Sequence, residues 1–179
     1  ETVGSGQTKN TTAKITSQHD IIYSALIKKF GYEKARQYAD ANQAAIDEYR
    51  KMIGNGGIDC DLEDKAAYLY TNLDVKTIQD ETEAAKQLGI DAEFTTETNL
   101  PFKVKGAVKF NKQAQFNPLK FLKTVSESVP VYEKTMVKEI KDKVLYTDHG
   151  NVTAEHIVMA THYPFINTPG YYFLRMHQE

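Results

Sequence analysis

The sequence predicts a mixed α/β fold, in which helices and a β-meander surround a small antiparallel sheet, and three observations support it. Apolar residues recur at helical spacing over residues 22–53, and short extended segments separated by turn residues fill residues 58–116. Residues 157–160 then form an unbroken apolar run, which is typical of a strand covered on both faces. We expect the sheet to be built around this strand, with a pocket at its carboxyl end, where Thr161 and His162 follow.

The composition is that of a globular chain without a membrane or nucleic-acid signature. With 41% hydrophobic and 26% charged residues, the 179-residue chain has enough apolar side chains to bury a core. Lysine and arginine number 22 against 24 acidic residues, so no global basic field attracts nucleic acid or anionic lipid. No apolar stretch is long enough to span a membrane, and no histidines show metal-ligand spacing. The single cysteine, Cys60, cannot form an intramolecular disulfide, which predicts a cytoplasmic protein.

Residues 1–16 are polar, and their composition predicts a loop or a disordered leader. Gly4 and Gly6 do not open a dinucleotide-binding fingerprint, because Lys9 stands where the third glycine belongs and no strand precedes them. Residues 10–16 combine hydroxyls, one lysine and closely spaced amides, a composition that is able to hold an anion. A solvated polar leader is the alternative.

Two helices are expected after the leader. Ser17 and Asp20 form a capping box, so the first helix should begin near Gln18. A second, longer helix is predicted over residues 33–53, where apolar residues again recur at helical spacing, and the glycine-rich residues 54–57 end it.

The middle region predicts a small antiparallel sheet crossed by one helix. Residues 66–71 are expected to form a strand, with residues 59–63 as its hairpin partner. Asp74 is a favourable N-cap for a helix that ends at Leu88. The remaining strands are predicted at residues 92–95 and, as a hairpin around residues 111–112, at residues 106–110 and 113–116.

The last part of the chain predicts a helix followed by a β-meander. Asn117 is a strong N-cap, and proline is favoured at the first helical position, which Pro118 occupies. Short strands with turns between them are expected at residues 131–132, 135–141, 143–146 and 152–154. Three of these strands form the meander that leads into the apolar run at residues 157–160.

The order of these motifs resembles the glycine oxidase and D-amino-acid oxidase family of FAD-dependent oxidoreductases. The family pattern combines a helix opened by a proline, a strand that leads into a threonine and a valine, a meander, and a strand that ends in Ala-Thr-Gly. Pro118, Thr135, Val137 and residues 160–161 match this pattern, and His162 replaces the glycine. The leader is similar to a flavin-contacting segment, especially in a bacterial branch in which a Rieske iron–sulfur domain can follow the flavoprotein.

The resemblance implies that the chain is an internal fragment of an FAD-dependent oxidoreductase. It implies a partial FAD-binding domain at residues 1–57 and 117–168, and a partial substrate domain at residues 58–116 and 169–179. The full-length parent would oxidise an amine or amino acid by hydride transfer to flavin, and a fused Rieske domain would lie outside this chain. The fragment by itself is expected to be inactive and not to retain FAD. The alternative is a non-catalytic α/β binding or interaction module, which would lack a strand and Gly-x-Gly-x-x-Gly turn before the leader.

The resemblance also implies the site residues. By position, the cofactor-binding residues are Thr11, Thr12, Ala13, Lys14, Ile15, Val137, Ala160 and Thr161. Small residues and hydroxyls there would let backbone amides approach phosphate and flavin. His162 and Lys14 are the expected catalytic residues, His162 as the base for the substrate ammonium and Lys14 as a cation near the flavin or an acid substrate. His19 lies either at the surface beside a helix cap or in the pocket.

Overall fold

The computed structural model describes residues 2–161, which divide into two compact units. The first unit is Val3–Val129, and the second contains Thr2 and the described residues from Pro130 to Thr161. Within residues 2–161, no helix is both long enough and apolar enough to cross a lipid bilayer.

The first unit is a mixed α/β assembly around one antiparallel sheet. Its elements in chain order are a 3-10 turn Gln7–Asn10, β1 Lys14–Ile15, α1 Tyr23–Phe30, α2 Tyr32–Gly56, β2 Glu63–Thr71, α3 Val75–Gln87, β3 Ala92–Thr95, β4 Gly106–Gln115 and α4 Pro118–Glu127. Strand β4 pairs antiparallel with β1, β2 and β3, so it is the centre of the sheet. Because β1 and the two strands β2 and β3 all pair with β4, the sheet joins the leader to the middle region.

The hydrophobic core lies between this sheet and helices α1, α2 and α3. Val108 and Phe110 of β4 are completely buried, as is Tyr23 of α1. The rings of Tyr23 and Phe110 have their centroids 6.1 Å apart. The core therefore holds α1 against a strand whose Phe110 follows Tyr23 by 87 residues.

Three helices have the bounds that the sequence predicts to within a few residues. Helix α3 follows Asp74, whose carboxylate accepts hydrogen bonds from the amides of Lys76 and Thr77. Helix α4 follows Asn117, whose side chain caps it in the same way, and Pro118 is its first residue. Helix α2 ends at Gly56 and is followed by Gly57, which adopts the left-handed conformation that glycine allows without a steric penalty.

The predicted start of the first helix is wrong. Helix α1 begins at Tyr23 and not near Gln18, because a distant side chain caps it. The buried carboxylate of Glu81 on α3 accepts hydrogen bonds from the backbone amides of Tyr23 at 2.7 Å and Ser24 at 2.9 Å. Ser17, the expected cap, is instead fully buried in a hydrogen-bond network.

The two hairpins predicted in the middle region are also wrong, although the antiparallel sheet itself is confirmed. Glu63–Thr71 and Gly106–Gln115 are each one continuous strand, and they pair with each other. A bulge interrupts this ladder near Lys112, whose φ is 56°. A bulge absorbs the residues that favour a turn without ending the strand, which is why the turn signal at residues 111–112 does not produce a hairpin.

The second unit contains the predicted β-meander as a separate sheet. Its strands β5 Val137–Lys141, β6 Val144–Thr147 and β7 Asn151–Thr153 pair antiparallel in that order. Asp142 and Lys143, between the first two strands, both have positive φ, which suits a tight hairpin turn. The strand expected at residues 131–132 is not formed.

The apolar run at residues 157–160 does not form the buried strand that the sequence predicts. These residues have no strand conformation, and Val158 is 87% exposed. A strand that is buried on both faces needs neighbouring strands and covering helices, and no other segment of residues 2–161 pairs with this run. The antiparallel sheet around β4, rather than this run, organises the described structure.

Candidate functional site

A cleft of about 510 Å³ lies beside the leader in the first unit, and we call it the leader cleft. The leader contributes Thr11, Lys14, Ile15, Thr16 and His19 to its wall, together with residues of the 3-10 turn. Helix α2 and the start of α4 form the opposite wall, through residues that include Asn42, Ile46, Tyr49, Phe116 and Pro118. Three of the residues predicted to contact a cofactor therefore share one cleft.

The leader is held in a defined conformation at this cleft. Ala13 has a φ of 59°, a left-handed conformation that is uncommon for a residue with a side chain. The hydroxyl of Thr11 accepts a hydrogen bond from the amide of Ala13, and the carbonyl of Ala13 accepts one from the amide of Phe116 at 3.1 Å. Lys14 and Ile15 then pair with β4. The leader is thus an edge strand with a tight turn before it, and not a disordered segment.

Lys14 carries a positive charge that no acidic side chain compensates. Its side chain is exposed, and in the described part of the chain its ammonium has no hydrogen-bond or ion-pair partner. The hydroxyl of Thr12, two residues before it, is likewise without a hydrogen bond within residues 2–161. An uncompensated cation is a favourable partner for an anionic ligand.

A second lysine near the leader shows the contrasting arrangement. The ammonium of Lys120 on α4 lies 2.8 Å from a carboxylate oxygen of Asp61. Its hydrogen bond lowers the pKa of Asp61 below the ordinary value, so this carboxylate stays charged and paired at neutral pH. This pair borders a smaller cleft of about 430 Å³ that Thr12 and Ala13 also line. Of these two lysines, Lys14 is therefore the one whose charge is available to a ligand.

His19 lies in the wall of the leader cleft, which decides between the two positions that the sequence allows for it. Its Nε2 atom is 3.3 Å from the side-chain oxygen of Asn42. The amide nitrogen of Asn42 donates to the carbonyl of Tyr38 at 2.9 Å, which fixes the orientation of the amide. Because the Asn42 oxygen can only accept, Nε2 of His19 carries a hydrogen in this arrangement.

An aromatic cluster closes one side of the leader cleft. Tyr49 of α2 contacts Phe116 with ring centroids 5.8 Å apart, and both rings contact Phe121 of α4. Tyr49 and Phe116 are not predicted as site residues from the sequence, because their contact joins segments more than 60 residues apart. The only sequence signal was the helical spacing of Asn42, Ile46 and Tyr49, which indicates a shared face of α2 but not its partner.

The remaining predicted site residues belong to the second unit or lie beyond the described residues. Val137 opens β5, is half-buried and pairs with Thr147 of β6. Ala160 and Thr161 are exposed at the end of the described chain. His162, the expected catalytic base, lies outside the described residues.

The leader cleft therefore suits a ligand that is both anionic and aromatic. Lys14 supplies a positive charge that has no ion-pair partner within residues 2–161. Tyr49 and Phe116 supply flat apolar surface. A dinucleotide with a planar ring system has this combination of groups, and an uncharged aliphatic ligand does not.

Comparisons with known proteins identify the family of the chain. The family described as DAO, FAD dependent oxidoreductase, matches residues 1–177 of the chain. A protein of Bacillus subtilis (strain 168), named "Putative Rieske 2Fe-2S iron-sulfur protein YhfW", is 36% identical over 185 residues, which cover 97% of this chain and 36% of that protein.

Solved structures show the same fold. Glycine oxidase from Bacillus cereus ATCC 14579 superposes with a TM-score of 0.58 at 19% identity, over 86% of this chain and 44% of that enzyme. Glycine oxidase from Geobacillus kaustophilus superposes with a TM-score of 0.60 at 21% identity, over 88% of this chain and 46% of that enzyme. The chain thus spans less than half the length of these relatives, and, with a family match over nearly all of its residues, it belongs to the family of FAD-dependent oxidoreductases.

Proposed function

We propose that the intact protein oxidises an amine or amino acid by hydride transfer to FAD, and that the leader cleft is part of the FAD site. The observation that carries this proposal is the uncompensated Lys14 beside the aromatic cluster, in a chain of this family. FAD combines a doubly negative pyrophosphate with a planar flavin, so its chemistry fits the residues that are present. When bound, it supplies the hydride acceptor.

The leader residues would hold the cofactor through small side chains and hydroxyls. Thr11 and Thr12 offer hydroxyls, and Ala13 places only a small side chain at the turn between them and Lys14. Ile15 is buried and anchors the strand that carries Lys14. Thr11, Thr12, Ala13, Lys14 and Ile15 would therefore form the leader side of the FAD site. We assign Val137, Ala160 and Thr161 to the same cofactor by their match to the family pattern.

The same proposal assigns each part of the chain to a domain and gives two residues a role in the reaction. Residues 1–57 and 117–168 would belong to the FAD-binding domain, and residues 58–116 and 169–179 to the substrate domain. His162 would take the proton from the substrate ammonium, because an amine must be neutral before it can yield hydride. Lys14 would hold negative charge on the cofactor or the carboxylate of an acid substrate.

Separate Lys14→Met and His162→Gln variants of the intact protein test these roles. We expect Lys14→Met to weaken FAD binding by ~10-fold or more, because a charge-assisted hydrogen bond is lost. We expect His162→Gln to retain FAD but to slow anaerobic flavin reduction by ~10²–10⁴-fold, the usual contribution of a general base. Flavin content, FAD dissociation constant and stopped-flow reduction by a panel of amines and amino acids give these values.

The matched control is Lys34→Met, which removes the same charge from an exposed position of α2 that has no ion pair within residues 2–161. It should change neither FAD affinity nor reduction rate. Unchanged affinity in Lys14→Met would remove the leader cleft from the FAD site. A flavin-loaded protein that no amine or amino acid reduces would overturn the proposed activity and favour the non-catalytic binding module.

We further propose that the intact protein carries a Rieske domain as an electron acceptor, because the name of the Bacillus subtilis relative refers to such a protein. A Rieske cluster needs two cysteines and two histidines. This chain contains one cysteine, Cys60, which is buried, so the cluster would lie outside these 179 residues. Iron and acid-labile sulfide at two equivalents each per chain would support a fused cluster, and their absence from the intact protein would contradict it.

A further inference from the structure

Ser17, which directly follows the leader, has hydrogen bonds on its amide, hydroxyl and carbonyl. Its amide and hydroxyl donate to the side-chain oxygen of Gln113 on β4, at 2.7 and 3.2 Å. Its hydroxyl accepts from Gln43 of α2 at 2.7 Å, and its carbonyl accepts from the hydroxyl of Tyr23 on α1. Ser17 and Gln113 are both almost completely buried. The polar groups of Ser17 are therefore all hydrogen-bonded, to side chains from β4, α2 and α1.

The bulge in β4 is what brings Gln113 to this position. The β2–β4 ladder passes from the pair Ala67 and Phe110 to the pair Lys65 and Gln113, so β4 contributes one residue more than β2 between these pairs. Side chains alternate between the two faces of a strand, so Phe110 and Gln113 would point to opposite faces of a regular strand. The additional residue restores both to the same, buried face.

Arg50 of α2 holds the bulge. Its guanidinium donates to the carbonyls of Lys112 and Gln113, at 3.3 and 3.2 Å, and it pairs with the carboxylate of Asp64 on β2. Gln113 also donates from its side chain to the carbonyl of Asn111 at 2.7 Å, so its amide has one orientation. The oxygen of that amide therefore faces Ser17.

We infer that Gln113 is a positioning residue for the cofactor: it fixes the leader at Ser17, and so holds Lys14 and His19 in the wall of the leader cleft before FAD binds. This inference rests on the proposed function. Lys14 and Ile15 are fixed on one side by pairing with β4, and Ser17 fixes the chain on the other. A loop that is ordered in advance loses less conformational entropy when a ligand binds, which raises affinity.

The test compares Gln113→Met with wild type in the intact protein. Methionine has a similar volume but cannot accept from Ser17, which leaves a buried amide without its partner. We expect FAD binding to weaken by ~10-fold or more, the visible flavin spectrum to change, and hydrogen exchange at residues 14–17 to accelerate. The Gln79→Met variant makes the same change at an exposed position of α3 and should behave as wild type.

A second control separates positioning from loss of stability. Leu88→Ala removes a buried side chain of the same core without touching Ser17 or Gln113, and it should lower the melting temperature while leaving FAD affinity unchanged. If Gln113→Met does not fold, Ser17→Ala takes its place as the test variant. It deletes only the hydroxyl, and it should also weaken FAD binding. The inference is overturned if Gln113→Met folds and binds FAD as tightly as wild type. If only Ser17→Ala folds, wild-type FAD affinity in that variant overturns it.

The same measurements distinguish this inference from the proposed function. If Lys14→Met weakens FAD binding but Gln113→Met and Ser17→Ala do not, the leader cleft holds FAD and Gln113 does not position it. If accelerated exchange at residues 14–17 leaves the affinity and flavin spectrum unchanged, the order of the leader is irrelevant to FAD and the inference fails. If wild type itself binds no FAD, the proposed function fails first.

Discussion

Tyr23 joins the leader to the core through one buried phenol. Its ring packs on Phe110, and its hydroxyl donates to the carbonyl of Ser17 at 2.5 Å. Burial raises the pKa of Tyr23 to about 12 from an ordinary 10.0, because the phenolate would lose its hydration. The neutral phenol is therefore the form that the folded state requires.

This shift predicts alkaline destabilisation with a defined sign. The folded pKa is raised, so the contribution of Tyr23 is fully present below pH 10 and is lost as the pH rises through about 12. We expect the free energy of unfolding to fall across this interval, as measured by urea titration at successive pH values. Tyr23→Phe should be less stable at neutral pH but should show a shallower fall, whereas Tyr32→Phe, whose phenol is partly exposed, should keep the wild-type slope.

Helix α4 begins where its local sequence predicts, at the N-cap Asn117 followed by Pro118. Asn117 accepts from the amides of Leu119 and Lys120, both at 3.2 Å, and Pro118 occupies the first turn, where its missing amide hydrogen is not needed. Pro118 also lines the leader cleft, so the start of this helix is part of the candidate site.

Asn117→Ala should destabilise the chain by about 1 kcal/mol, the usual cost of losing a helix cap. Chemical denaturation followed by circular dichroism measures this change. Asn99→Ala removes the same amide from an exposed loop, where Asn99 has no side-chain hydrogen bond within residues 2–161, and it should be close to neutral. Equal stability of the two variants would mean that the cap contributes nothing to folding.

At the scale of the whole molecule, the core that residues 2–161 form lies in the first unit. Within residues 2–161, the buried hydrophobic residues extend from Ile15 to Ala114, all inside Val3–Val129. The meander of the second unit has no fully buried side chain. Burial of apolar surface is the main favourable term in folding, so the first unit contains most of the stabilisation of the described chain.

We therefore expect a chain ended after residue 129 to unfold cooperatively, with a midpoint within a few degrees of the 179-residue chain. Differential scanning calorimetry measures both transitions. Phe110→Ala in the shortened chain should lower its unfolding free energy by ~3–5 kcal/mol, which reports that the same core is intact. A shortened chain without a cooperative transition would place essential stabilisation in residues beyond 129.

The sequence by itself determined those features whose signals are local. The bounds of α2, α3 and α4 follow from caps and glycines that act within one turn of the helix end. The antiparallel character of residues 58–116, the meander and the family followed from the order of strands, turns and motifs. The composition of the leader predicts that it can hold an anion, and this remains a prediction beside the alternative of a solvated polar leader.

Tertiary structure decided the features that depend on partners distant in sequence. Helix α1 begins where Glu81, 58 residues away from Tyr23, satisfies its amides, and the turn signal at residues 111–112 becomes a bulge because β2 continues beside it. The leader cleft needed α2 and α4 to bring Tyr49 and Phe116 to Lys14, and the apolar run at residues 157–160 stays unpaired because residues 2–161 offer it no neighbour. The periodicity of hydrophobic residues predicts which face of a helix or strand is apolar, but only tertiary packing determines which element covers that face.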